Sequence, residues 1–86
     1  MTDTAQKVLT VAVQYFGPAA KFFLQRQTKY HMNNLDAEEL QPVHLPELVK
    51  WLKISAPLFI DKVKAEEFLQ RVQKLISDDP SRSAGR

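Results

Sequence analysis

Two histidines, His31 and His44, flank a stretch that carries Asp36, Glu38 and Glu39, and imidazoles beside carboxylates are the raw material of a metal site. Their spacing matches no common ligand pattern, such as paired histidines one helical turn apart, so no metal is expected. Catalysis would need a nucleophile or an acid–base pair held in a desolvated pocket. The acids present already have structural work: Asp36 and Glu39 form a helix-capping pattern, Glu47 opens a helix, and Glu67 precedes Arg71 at ion-pair spacing. A domain of 86 residues is not expected to enclose a pocket of ~300 Å³ or more, so neither an enzyme nor a cofactor is expected.

Two other groups could bind rather than react. Lys21, Arg26, Lys29 and His31 share one segment with Tyr30, and such a basic, aromatic stretch can contact phosphates. Neither a helix-turn-helix spacing nor an RNA-stacking motif accompanies it, and three firm positive charges make a thin electrostatic footprint. Trp51 lies between Lys50 and Lys53, and with Ile54 and Leu58 it forms a stripe of its own. A lone Trp in a small bundle is usually core, but an exposed Trp flanked by basic residues is a typical protein-binding anchor.

Several elements must position these groups. The chain turns at Gly17-Pro18, because Gly tolerates the positive φ that ends a helix and Pro fits the first turn of the next. Tyr15 and Phe16 on one arm and Phe22 and Phe23 on the other are the expected core seed. The first helix is expected over 4–16, capped by Asp3 or Thr4, with Val8, Leu9, Ala12, Val13, Tyr15 and Phe16 on its apolar face. The second spans 18–31, with Ala20, Phe23, Leu24 and Tyr30 inward. A capped turn near 37–40 interrupts the long connection, pinned by Leu35 and Leu40.

The third helix is expected over 46–60, kinked at Pro57, with Leu45, Leu48, Val49, Leu52 and Phe59 on its inner stripe. The fourth, 63–76, shows the most regular stripe: Ala65, Phe68, Leu69, Val72, Leu75 and Ile76. The reading is a small all-α bundle of four main helices, one domain over 1–77, with residues 78–86 expected to be a disordered tail.

The totals agree with that reading. Hydrophobic content of 44% with 26% charge is ordinary for a globular domain, and there is no cysteine to build a disulfide framework or thiolate site. The net charge of +2 is small but unevenly spread: residues 1–33 carry Lys7, Lys21, Arg26 and Lys29 against Asp3 alone. The apolar run from Val8 to Leu24 falls short of the ~20 residues of a membrane span, and the N-terminus lacks the order of a secretory signal. A cytoplasmic location and no membrane association are expected.

The residues Tyr15-Phe16-Gly17-Pro18-Ala19-Ala20-Lys21, then Leu24, then Ala65-Glu66-Glu67-Phe68-Leu69 resemble a small helical segment at the C-terminal ends of some bacterial serine/threonine kinases and related signalling proteins. There an aromatic or aliphatic pair precedes Gly-Pro, and an Ala follows two positions later. The resemblance spans residues 5 to 76 and implies an accessory, non-catalytic module of bacterial signalling. No kinase domain accompanies it in this chain, the stretch from Asn33 to Val43 and Pro57 depart from the pattern, and no catalytic residue carries over.

Two functions of different class follow. One is a protein-interaction or regulatory module that docks a protein partner, or a second copy, through Trp51, Ile54 and Leu58 with Lys50 and Lys53. The other is a nucleic-acid-binding protein that uses Lys21, Arg26, Lys29, Tyr30 and His31.

Overall fold

The structure is a computed structural model that describes residues 1–77, and the tail expected at 78–86 lies outside the described residues. Every regular element described is helical. The four separate main helices expected from sequence are corrected to three unbroken helical runs, 3–31, 42–58 and 62–77, with an isolated turn at Ala37–Glu39. The reason is that no irregular residue separates the first two: a 3-10 turn, Gly17–Ala19, joins α1 (Asp3–Phe16) directly to α2 (Ala20–His31), and Gly17 turns the chain there so that the two helices pack on each other. The second run comprises a 3-10 turn at Pro42–His44, α3 (Leu45–Ser55) and a 3-10 turn at Ala56–Leu58, and the third is α4 (Lys62–Ser77).

α1 is capped by Thr2 rather than by Asp3 or Thr4. The Thr2 hydroxyl accepts from the Ala5 N–H and donates to the Leu40 carbonyl, while the Thr2 N–H donates to the Glu38 carbonyl at 2.9 Å. One residue therefore starts the first helix and ties it to the turn in the long connection, a double role no local pattern announces. At the other end Gly17 takes φ 61° and ψ −141°, with its N–H donating to the Val13 carbonyl. That is the mirror image of polyproline geometry, open to glycine and costly to an L side chain.

The corner seeds the core differently from expectation. Phe16 stacks on Phe23 at 4.2 Å and meets Phe68 edge-on at 5.3 Å, Tyr15 packs on Phe68 at 5.6 Å, and Phe23 meets Phe59 edge-on at 5.3 Å. Phe22 is not part of this chain of rings: the turn through Ala19 rotates it to solvent. Tyr30, expected inward, is also exposed, and Gln27 and Thr28 are buried instead.

In α3 the inner stripe Leu45, Leu48, Val49 and Leu52 is buried. The kinked helix expected to reach Ile60 is corrected: the α-helix ends at Ser55, and Pro57 sits in the tighter turn Ala56–Leu58. Phe59 thereby leaves the α-helical register of the inner stripe, and most of its ring stays exposed. α4 starts on Asp61, whose Oδ1 accepts from the Lys64 N–H at 2.9 Å, and buries Ala65, Phe68, Leu69 and Val72 with Leu75 and Ile76 packed at the edge. Glu67 and Arg71 reach across to α1 instead of to each other: Glu67 accepts from the Tyr15 hydroxyl at 3.2 Å, and Arg71 donates to Gln14 at 2.5 Å. α1 packs on α2 and α4, and α3 packs on α4 and α2, so the helical segments close a ring around one core. Among the described residues no helix is long and apolar enough to cross a membrane.

Candidate interaction surface on α2 and α3

α2 and α3 run antiparallel; two contacts one turn apart define their seam, and a third continues it past the 3-10 turn to Phe59. His31 stacks on Trp51 at 4.2 Å, Ser55 donates to Gln27 at 2.6 Å, and Phe23 meets Phe59 at 5.3 Å. A residue one position before a seam residue is rotated by about 100°, and in an antiparallel pair that rotation leads to the same flank on both helices. Phe22, Arg26 and Tyr30 of α2 therefore share a flank with Lys50, Ile54 and Leu58 of the second run.

This flank is unusually apolar for solvent-facing surface. Phe22 is 67% exposed, Tyr30 73%, Ile54 59%, Leu58 78% and Phe59 61%. Arg26 stands between two of them, its guanidinium 5.9 Å from the Phe22 ring centre and 5.5 Å from that of Tyr30. The guanidinium is within cation–π range of both rings. Two surface concavities share Phe22 and Arg26: one of about 340 Å³ continues through Phe16, Ala19, Phe23 and Phe59, and one of about 570 Å³ through Gln25, Lys29, Tyr30 and Asn34. Concavities of that volume were not expected in so small a domain. No acidic residue lines either.

The binding residues expected from sequence divide between this surface and elsewhere. Trp51 is half-buried, stacked on His31 with the Lys50 ammonium 5.3 Å from its ring, and so anchors the seam from within. Ile54 and Leu58 are on the exposed flank, whereas Lys53, two residues from both Trp51 and Ser55, is turned roughly 160° away from the seam. Of the basic set, Arg26, Lys29 and Tyr30 line the larger concavity. Lys21 does not join them: its ammonium pairs with Glu38 at 2.7 Å, a hydrogen-bonded partner that raises the pKa of the lysine. Phe22 and Phe59 were missed as surface residues, because their spacing reads as core.

Neighbouring polar groups are committed to the fold. Gln25 donates to Asp36 at 2.9 Å and accepts from the Ala37 N–H at 3.1 Å, while Asp36 accepts from the Glu38 N–H at 2.9 Å. That backbone hydrogen bond, and then the one from Gln25, hold the Asp36 carboxyl below its usual pKa. Glu39, expected to complete a capping box, is exposed. His44 accepts from the Gln41 N–H through Nδ1 at 2.9 Å. Among the described residues no group of three or more His, Asp or Glu side chains gathers as a metal site would need. Compared with family models, with curated proteins and with solved structures, the chain matches none.

Proposed function

We propose that this chain is a non-catalytic protein-interaction module that docks a protein partner on the exposed flank of the α2–α3 seam. One observation carries the reading: five large apolar side chains, Phe22, Tyr30, Ile54, Leu58 and Phe59, are mostly exposed, and Arg26 lies against the rings of Phe22 and Tyr30 and shares a concavity with Phe59. Aromatic residues and Arg are the groups enriched at the centres of protein interfaces, whereas scattered apolar residues need no such explanation. The resemblance at the Gly17-Pro18 corner supports placing the module in bacterial signalling, and the absence of cysteine suits a cytoplasmic setting.

Nucleic acid is the weaker reading. With Lys21 engaged by Glu38, the α2 side offers only Arg26 and Lys29 to phosphates, and binding through so few contacts would be shallow at physiological salt. The test is affinity capture on the tagged chain at physiological salt, with and without nuclease, beside the Phe22→Ser/Leu58→Ser double variant. The expected result is a protein that survives nuclease on the wild type and is lost on the variant, while the variant melts within a few degrees of wild type because both side chains are exposed. Retention of the same protein by the variant, or recovery of nucleic acid alone, overturns the proposal.

A further inference from the structure

We infer that the occupant of this surface is an acidic amphipathic helix supplied by another protein, an inference that rests on the docking reading above. The first argument is about backbone. Both walls of the seam are helices whose amide and carbonyl groups are paired within the helix, so an extended peptide would find no strand edge to pair with. A helical occupant satisfies its own backbone and needs only side-chain contacts. From Phe22 to Tyr30 the flank runs about 12 Å, the length of roughly two helical turns. At one end the concavity of about 340 Å³ lies between Phe22 and Phe59 and suits one large apolar side chain.

The second argument is about charge. Arg26 and Lys29 line the larger concavity and Lys50 lies against Trp51; Asp36, beside them, is bound to Gln25 and the Glu38 N–H, and the lining of both concavities contains no acid. A second copy meeting this face with the same face would bring Arg26 and Lys50 against like charges, whereas carboxylates beside an apolar stripe would find an Arg presented between two rings. The complement of the surface is an i, i+3 or i+4, i+7 apolar stripe flanked by Asp and Glu.

A displayed library of random 16-residue peptides, panned on the full chain, tests this directly. The expected outcome is enrichment of net-negative sequences with that helical apolar spacing. The most enriched peptide, titrated by Trp51 fluorescence, is expected to lose roughly tenfold or more in affinity on the exposed double variant Arg26→Glu/Lys50→Glu. Enriched peptides that are neutral or basic, or that bind the charge-reversed variant equally well, overturn the acidic helix and leave the docking surface standing. Peptides that bind undiminished to Phe22→Ser/Leu58→Ser overturn the docking surface as well. A further arm uses vesicles of phosphatidylcholine with phosphatidylglycerol: sedimentation of the chain with them, with no peptide enriched, overturns the inference in favour of an anionic lipid surface.

Discussion

Ser55 donates its hydroxyl to Gln27 at 2.6 Å across the α2–α3 seam, with both side chains buried. Replacing Ser55 with Ala should leave the Gln27 carbonyl buried without its donor, at a cost of about 1–3 kcal/mol. In a domain of this size each kcal/mol lowers the melting temperature by about 4–8 °C. Adding Gln27→Met to that variant removes the stranded acceptor and should recover most of the loss. Thermal melts of the two variants check this, and a double variant as unstable as Ser55→Ala would refute it.

Gly17 is the second place where one residue type is demanded. A Cβ built there meets no atom within 4 Å, so the penalty for Gly17→Ala comes from φ 61° and not from crowding. It should be about 1–3 kcal/mol, and larger for the β-branched Gly17→Val. The same backbone angles are favourable for a residue of opposite hand, so D-alanine at position 17 in a synthetic chain should match or exceed wild-type stability. Equal melting of the L and D forms would mean that the corner does not hold this geometry in solution.

Asp36 makes stability depend on acid. Its carboxyl is held below the ordinary range by the Glu38 N–H and then by Gln25, so its contribution is complete above the unfolded pKa near 3.9 and disappears as pH falls through the lower folded value. Asp36→Asn keeps an oxygen acceptor but no longer titrates. Urea unfolding across a pH series should show the difference between wild type and Asp36→Asn narrowing below about pH 4. Parallel curves down to pH 2 would contradict the assignment.

Trp51 offers a separate test of the seam. Its indole N–H is buried and meets no acceptor among the described residues, while its ring stacks on His31 with the planes 12° apart. Trp51→Phe keeps a ring against the imidazole and removes the stranded donor, two effects of opposite sign, so stability should change by less than about 1 kcal/mol. Trp51→Ala removes the ring and should cost about 3 kcal/mol or more. A large loss from Trp51→Phe, measured by urea unfolding, would show that the indole N–H is satisfied after all.

The helices were legible because periodicity follows burial: Leu45, Leu48, Val49 and Leu52, and Ala65, Phe68, Leu69 and Val72, repeat at helical spacing and are buried. Reading failed where burial was decided between elements. Gln27 is buried because Ser55, 28 residues away, supplies its partner, and no local pattern carries that information. Tyr30 reads as inward for the same reason, since an apolar ring outranks Gln27 and Thr28 until their positions are known. The basic residues of the candidate surface were legible, with Tyr30 beside them as a binding candidate, but Phe22 was assigned to the core, because Phe22 beside Phe23 looks like core in any one-dimensional reading.

The three contacts along the seam differ chemically: an imidazole on an indole, a hydroxyl on an amide, a ring on a ring. Sliding α3 by one turn would set Gln27 against Trp51 and Phe23 against Ser55, or His31 against Ser55 and Gln27 against Phe59. Every such shift strands a polar group on a hydrocarbon face. Identical apolar rungs would have let the two helices settle at several offsets of similar energy, whereas this sequence of unlike rungs acts as an index mark and admits one. The outward row from Phe22 to Tyr30 and the row from Lys50 to Leu58 are thereby held in a single alignment, so whatever lands on them meets one fixed arrangement of shapes rather than a sliding one.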